Sequence, residues 1–208
     1  MFKFIKFYYG MSGSFKATTI ESELTNTKTT CIPMWSEIKS WKHWENTIFN
    51  RKNNPNNINL GLLHLCRLKD YIQNYKSLLD TNLLVERGIS DMMFYWSGLN
   101  DVIENEEVIK SAVQEEEFIC EQNSYYSPSK ILLIQEDVDF ISNVILTEPT
   151  RRECFPGGVQ EYLEAQKRYV EFTKKYNKIT EEIIIKDAKN YVTNNLGFKF
   201  EICPSKNQ

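Results

Sequence analysis

The order of apolar and polar segments predicts an α/β fold with a five-stranded parallel sheet flanked by helices. Short runs rich in β-branched and aromatic residues alternate with longer segments whose apolar residues recur at helical spacing. The run Lys-Ile-Leu-Leu-Ile at residues 130–134 is almost continuously apolar, as in a strand covered on both faces. A chain of 208 residues with 41% hydrophobic and 25% charged residues can bury one sizeable core, so we expect a single domain over residues 1–208.

The elements can be assigned in chain order. The first strand begins at Lys3 and ends at a break at Gly10, and the next four cover residues 29–35, 82–85, 130–134 and 182–185. Pro33 is expected to place the second strand near an edge of the sheet or at its own end. The predicted helices cover residues 14–25, 36–49, 60–79, 91–103, 104–121, 137–146, 159–176 and 187–195. For residues 36–49, a helix followed by a loop is the alternative. The acidic run from Glu104 to Glu121 is expected to present a solvated face, with Glu106, Glu107, Glu115, Glu116 and Glu117 on it.

A loop with two glycines joins the first strand to the first helix, with the sequence Gly10-Met11-Ser12-Gly13-Ser14-Phe15-Lys16-Ala17-Thr18. A strand, a glycine loop, a lysine and a helix in this order are typical of a P-loop, whose backbone N–H groups surround a polyphosphate. The helix N-terminus and the lysine charge both favour an anion. The loop therefore predicts a nucleotide site and a three-layer P-loop NTPase fold. The alternative interpretation of the loop alone is a turn before an ordinary helix.

Two positions in this loop depart from the usual pattern of Gly, four residues and Gly-Lys-Ser/Thr. Gly10 and Lys16 are in register, but Phe15 stands at the second glycine and Ala17 at the hydroxyl residue that binds Mg²⁺. Thr18 follows at the place of the next threonine. We therefore expect Mg²⁺ to depend on Glu86, Thr18 or water.

Candidate residues for phosphoryl transfer follow the predicted strands. Ligands of parallel sheets bind at the carboxyl ends of the strands, so the loop and the polar residues after the other strands should share one rim. Phosphoryl transfer needs a phosphate cradle, neutralising charge, a metal and an activated acceptor. The candidates are Lys16 for the donor phosphates, Arg87 between donor and acceptor, Glu86 for Mg²⁺, Glu37 as general base, and Arg151 and Arg152 on a lid at residues 147–158.

Each of these assignments has a structural alternative. Glu37 would serve equally well as a carboxylate at a helix N-terminus. Glu86-Arg87 could be a surface pair, and Arg151-Arg152 could belong to a solvated loop.

Four segments, in the same order, resemble the deoxynucleoside kinase and thymidylate kinase group of P-loop kinases. One is the loop at residues 10–16. A second is Glu37 followed by Trp41, similar to the Glu-Pro-x-x-x-Trp segment of deoxynucleoside kinases without its proline and one residue shorter. The third is Glu86-Arg87-Gly88-Ile89-Ser90-Asp91, similar to their Glu-Arg-Ser segment and to the Asp-Arg of thymidylate kinases. The fourth runs from Arg151-Arg152 to Glu161-Tyr162-Leu163-Glu164, similar to an arginine lid followed by Glu-Tyr-Leu-Glu.

The resemblance implies roles for these residues, with ATP as donor and Mg²⁺ as metal. Lys16 and Arg87 would contact phosphates, and Glu86 would assist the metal. One of the two lid arginines, Arg151 or Arg152, would act on the transferring group. On the acceptor side, Glu37 would be the base, and Asp91 would contact the substrate or brace the site. The full set on that side is Glu37, Trp41, Arg87 and Asp91.

Three functions are compatible with these features. One is an ATP-dependent kinase of a nucleoside or nucleoside monophosphate. Another is a phage kinase acting on a 5-hydroxymethyl-pyrimidine in DNA, against which the net charge of −3 and the lack of a basic stripe weigh. The third is a non-catalytic nucleotide-binding protein, which the missing hydroxyl at Ala17 motivates. The abundance of Asn, Lys and Ile fits an AT-rich genome, such as that of a phage or of a low-GC bacterium.

The composition also sets expectations about partners and compartment. No apolar run approaches the roughly 20 residues of a membrane span, so we expect no membrane partner. The five cysteines are scattered without a Cys-x-x-Cys, which favours free thiols in a cytoplasmic protein, in the host cytoplasm if phage-encoded. A homodimer is kept as a possible assembly.

Overall fold

The computed structural model describes residues 4–24, 28–32, 64–69, 72, 82–96, 106–122 and 128–200. The strands are β1 (Ile5–Gly10), β2 (Thr29–Ile32), β3 (Asn82–Glu86), β4 (Ser129–Gln135) and β5 (Glu181–Ile185). The helices are α1 (Lys16–Glu23), α2 (Ile89–Trp96), α3 (Glu106–Gln122), α4 (Val138–Thr147), α5 (Pro149–Cys154), α6 (Gly158–Tyr176) and α7 (Ala188–Asn190), with a π-helical turn at Tyr191–Asn195. Residues 64–69 are also helical.

The five strands form one parallel sheet in the order β2-β3-β1-β4-β5. The strand that carries the glycine loop, β1, is therefore central. In its register, Tyr8 lies opposite Glu86 of β3 on one side and Ile131 of β4 on the other. The predicted fold class, a five-stranded parallel sheet flanked by helices, is confirmed.

Successive residues of β1 point to opposite faces of the sheet, and both faces are covered. Phe7 and Tyr9 pack into the core shared with α2, α3 and α6. Tyr8 packs on the other face with Ile20 of α1 and Tyr191 of the C-terminal π-helical turn. This two-sided burial explains why the predicted strands read as apolar runs rather than as alternating patterns.

The structure corrects two local predictions. The segment predicted as a lid loop, residues 147–158, contains α5 over Pro149–Cys154. Pro149 starts this helix, a position where a missing N–H costs nothing and the fixed φ is favourable. Glu116 does not lie on the solvated face of α3: Glu106, Glu107 and Glu115 are exposed, whereas Glu116 is fully buried.

Some sequence predictions fall outside the described residues. They include the helix at 36–49, with Glu37 and Trp41, the end of the second strand after Ile32, and most of the helix predicted at 60–79. Within the described part, residues 64–69 and 72 are helical. No helix among the described residues is long and apolar enough to cross a membrane.

Gly88 generates a prediction about stability. A Cβ at this position would lie 2.2 Å from the Tyr9 hydroxyl oxygen and 2.7 Å from ring carbon Cζ, and Tyr9 is fully buried. Gly88→Ala should therefore lower the free energy of unfolding by about 1–3 kcal/mol through overpacking, measured by urea denaturation.

The matched control is Gly197→Ala. Gly197 has a φ of 76° and open space around its Cβ position, so only backbone strain is expected there. A Gly88→Ala variant as stable as the parent protein would show that the turn does not need this close approach.

Candidate functional site: a phosphate loop beside the end of β3

The glycine loop leaves the carboxyl end of β1 and enters α1 within a few residues. Gly10 has a φ of 153°, and a Cβ there would lie 2.3 Å from Ser14 Oγ and 2.8 Å from the Leu133 carbonyl oxygen. Gly13 has a φ of 90°, and the Ser14 amide donates to the Met11 carbonyl at 3.2 Å. Both glycines therefore occupy positions where a side chain would clash or strain the backbone.

Phe15 takes the left-handed conformation at the position where the usual pattern has a glycine, with φ 60° and ψ 25°. Its ring centroid lies 4.8 Å from that of Phe140 on α4 and 6.1 Å from that of Tyr191. These aromatic contacts offset the backbone strain, so the loop keeps the turn that a glycine would supply. The same conformation delays the start of α1 from the predicted Ser14 to Lys16.

Lys16 is folded back across the loop and is 4% exposed. Its Nζ donates to the Gly10 carbonyl at 2.8 Å and to the Met11 carbonyl at 3.0 Å. Burial, and next the positive charge of Arg87, lower the pKa of Lys16 to about 7. The negative charges of Asp91 and Glu86 act in the opposite direction. An anionic ligand would favour the charged form of this ammonium group.

Charged residues at the end of β3 and just after it act on Lys16. Glu86 ends the strand, and Arg87 follows with a left-handed φ of 69° while its amide donates to the Tyr8 carbonyl at 3.0 Å. Asp91, in the first turn of α2, is fully buried. Burial raises the pKa of Asp91, and the charges of Arg87 and Lys16 partly oppose that rise. The structure therefore brings Lys16, Glu86, Arg87 and Asp91 together.

Two buried polar groups at the site have no hydrogen-bond partner among the described residues. One is the hydroxyl of Ser14 inside the loop, and the other is the carboxylate of Asp91, for which neither oxygen has a partner of suitable geometry. The Tyr169 hydroxyl nevertheless lies near enough to favour ionised Asp91 and to lower its pKa. Buried polar groups are nearly always paired, so the Ser14 hydroxyl and the Asp91 carboxylate both fit contacts with a polar ligand.

The two predicted lid arginines differ in their surroundings. Arg151 pairs with Glu148, Nε to Oε2 at 3.2 Å, and its positive charge contributes to the lowered pKa of Lys16. Arg152 is exposed and donates to the Leu146 carbonyl. The segment is anchored by Phe155, which is buried and lies 5.1 Å from the Tyr162 ring between centroids. Of these two arginines, Arg151 is the one whose charge contributes to the lowered pKa of Lys16.

Sequence reasoning missed the contacts that α6 and β4 make with the loop. Tyr169 accepts a hydrogen bond from the Gly10 amide at 2.7 Å, and Tyr162 donates to the Ser12 carbonyl at 2.9 Å. The two tyrosines are seven residues apart, which places them on one helix face, and this spacing was the available signal. Gln135, at the end of β4, lies with Nε2 3.4 Å from the Gly13 carbonyl.

The remaining predicted residues are divided between described and undescribed parts. Ala17 is exposed and Thr18 is half-buried at the start of α1. Glu37 and Trp41 lie outside the described residues, so their roles stay predictions.

The site was compared with known proteins. No protein-family model and no curated protein matches the sequence. Among solved structures, the crystal structure of thymidylate kinase from Ehrlichia chaffeensis matches with a TM-score of 0.57 and 11% sequence identity. The match covers 94% of this chain and 97% of that chain. At this identity the likeness establishes the fold, a P-loop kinase fold, and not the activity.

The residues present fit a nucleotide and, with fewer ligands, a metal. The loop offers backbone amides, the buried Lys16 ammonium and the unpaired Ser14 hydroxyl. No group of three or more His, Cys, Asp or Glu side chains within the described ranges could hold a metal ion. Mg²⁺ often keeps several waters and takes phosphate oxygens of a substrate, so one or two carboxylates suffice. Glu86 and Asp91, whose negative charges act on Lys16, are the carboxylates beside the loop that could serve in this way.

The lowered pKa of Lys16 predicts proton uptake when a nucleoside triphosphate binds. At pH 8, above that pKa, most of the free protein lacks the ammonium proton, and the phosphate anion raises the pKa and restores it. Calorimetry in buffers of different ionisation enthalpy should report uptake of up to about one proton per ATP at pH 8. At pH 6 the lysine is already protonated, and its contribution should vanish. Equal proton uptake at the two pH values would contradict this assignment.

Proposed function

We propose that the chain transfers the γ-phosphoryl group of ATP to the hydroxyl or phosphate of a nucleoside or nucleoside monophosphate. The observation that carries this proposal is the juxtaposition of buried Lys16, in a phosphate loop, with Arg87 and Asp91 after the neighbouring strand. Groups suited to a donor and to an acceptor therefore lie side by side at the carboxyl ends of β1 and β3. The likeness of fold to a thymidylate kinase supports the same class of reaction.

On the donor side, the loop from Gly10 to Lys16 would hold the polyphosphate. When bound, ATP supplies the transferable phosphoryl group and Mg²⁺ neutralises phosphate charge. Lys16 would exchange its two carbonyl acceptors for phosphate oxygens, and the Ser14 hydroxyl would gain the partner that it lacks. Tyr169 and Tyr162 would keep the loop in shape through their bonds to Gly10 and Ser12.

On the acceptor side, Arg87 would orient the reacting groups and stabilise the charge of the transferring phosphoryl group. Asp91 would accept a hydrogen bond from the acceptor or brace Arg87. Glu37 is retained as the proposed base and Trp41 as a proposed substrate contact. Glu86 and Thr18 are the proposed metal-assisting groups, because Ala17 offers no hydroxyl.

The lid would act through Arg151. Its positive charge contributes to the lowered pKa of Lys16. Residues 147–158 would exclude water when they close over the donor phosphates.

Ala17 supports a second candidate, a nucleotide-binding protein without catalysis. In the usual pattern the hydroxyl at this position binds Mg²⁺, and here the position is an exposed methyl group. Such a protein would bind ATP at the same loop without transferring phosphate.

The deciding experiment is a transfer screen with γ-labelled ATP and Mg²⁺. The acceptors are nucleosides, nucleoside monophosphates, and DNA containing 5-hydroxymethyluracil. Labelled small molecules support the proposed function, whereas labelled DNA would replace the acceptor by a base in a strand. ATP binding without any labelled product would establish the non-catalytic candidate.

Lys16→Ala should abolish the donor site while leaving the fold intact. The variant removes the loop's buried cation, so we expect a loss of turnover of about 10²-fold or more, with ATP affinity also reduced. Turnover and calorimetric binding are the measurements, and a circular dichroism spectrum like that of the parent is the control for folding. Near-normal turnover and affinity would contradict the assignment of the loop.

Arg151→Ala and Arg152→Ala form a matched pair on one helical turn. Because Arg151 has its charge near Lys16 and Arg152 caps a carbonyl, only Arg151→Ala should lower kcat strongly. We expect a loss of about 10- to 10³-fold in kcat with a change in ATP affinity of less than about threefold, as for a charge that acts in the transition state. Equal losses in both variants would show that the structure does not distinguish the two arginines.

A further inference from the structure

Glu116 is a fully buried carboxylate in the middle of α3. Its Oε2 accepts two hydrogen bonds of 2.8 Å, from His64 Nε2 and from the Ile89 backbone amide. The Tyr9 hydroxyl lies 3.5 Å from Oε1. A buried charge is unfavourable without such partners, so the contacts of this group are specific.

His64 and Arg67 extend the contact into a chain of three side chains. Arg67 donates from an NH2 group to His64 Nδ1 at 3.1 Å, and both residues are almost fully buried. A guanidinium group only donates, so Nδ1 accepts and Nε2 carries the proton given to Glu116. Burial, and next the charge of Arg67, lower the pKa of His64, which is therefore neutral at pH 7. The neutral imidazole of His64 thus links buried Arg67 to buried Glu116 through two hydrogen bonds.

The Ile89 amide, which donates a hydrogen bond to Glu116, belongs to the turn between β3 and α2. That turn contains Arg87, in a left-handed conformation, and Gly88, whose backbone lies against the Tyr9 ring. Ile89 is the first residue of α2, where an amide has no partner within the helix. The turn is thus held by the Arg87 amide on β1, by Tyr9 and by Glu116.

We infer that Glu116, oriented by His64 and Arg67, is a positioning residue for Arg87. It fixes the backbone two residues beyond Arg87 and so keeps that residue in its left-handed conformation, with its charge near Lys16 and Asp91. The inference rests on the proposed function, because it assigns Glu116 to the same phosphoryl-transfer site. It requires Glu116 to affect transfer through Arg87 alone.

A double-mutant cycle tests this dependence. Glu116→Leu should lower kcat by about 10- to 100-fold in the parent and by less than about threefold in an Arg87→Ala background. Glu116→Gln should stay within about threefold of the parent, because its amide oxygen can accept both bonds now made by Oε2. Glu115→Gln, on the exposed side of the same helix, is the matched control and should change nothing. Additive losses from Glu116→Leu and Arg87→Ala would overturn the inference and leave Glu116 a purely structural residue.

Amide hydrogen exchange at Ile89 and Arg87 provides a readout that does not need turnover. Exchange should be faster by about tenfold or more in Glu116→Leu and close to the parent rate in Glu116→Gln and Glu115→Gln. If Glu116→Leu does not fold, Glu116→Asp withdraws the carboxylate by one methylene and should accelerate exchange by about threefold or more. Unchanged exchange in Glu116→Leu, or in Glu116→Asp where the leucine variant does not fold, would overturn the inference. A parent without any transfer activity would refute the proposed function, whereas the exchange rates would still decide whether Glu116 holds the turn.

Discussion

The site depends on one buried ammonium group and on the loop that encloses it. Lys16 is almost inaccessible to water, and its Nζ donates to two carbonyl groups of its own loop. A cation in such a place needs nearby negative charge, and Asp91 and Glu86 provide it. Glu86 ends β3 and Asp91 lies shortly after it, so the pairing of β1 with β3 determines whether the charged form of Lys16 is stabilised. The strand pairing in the sheet therefore also sets which charges act on Lys16.

The second constraint is that the loop is shaped largely from outside itself. Gly10 is held by Tyr169, Ser12 by Tyr162, and Phe15 by Phe140. A loop that is supported from outside needs few ordered side chains of its own, so its backbone can lie close to an anion. Two of the three supporting residues come from α6, the helix that follows the lid segment. The segment at residues 147–158 and the loop are thus connected through one helix, α6.

Much of the fold and part of the site could be predicted from the sequence. The three inner strands β1, β3 and β4 were recognised because both of their faces are covered, which makes each of them a short, mostly apolar run. The loop was recognised because its spacing from Gly10 to Lys16 has a direct steric meaning. Glu116 was misassigned because its charge was weighed above its position. Ile109, Val113, Glu116 and Cys120 recur at intervals of four, three and four, so helical spacing places Glu116 on the buried stripe of α3.

Other features could not be predicted because they join residues that the sequence does not relate. Nothing local to His64 indicates that it pairs with a glutamate 52 positions later. The same holds for Tyr169 and the Gly10 amide, which are 159 residues apart. The left-handed Phe15 is permitted only because Phe140 and Tyr191 pack on its ring. Tertiary contacts of this kind override local preference, which sequence patterns alone describe.

The contact between Gly10 and Tyr169 also affects how the protein can be made. The amide belongs to the tenth residue of the chain and the hydroxyl to residue 169, and the contact of Ser12 with Tyr162 spans 150 positions. During synthesis the loop is translated before α6, so both contacts can form only after the residues between them have left the ribosome. Until then the amides of the nascent loop are hydrated. Bringing together residues so far apart in sequence makes assembly of the central region slow. The loop therefore reaches its final shape only after α6 has folded against it.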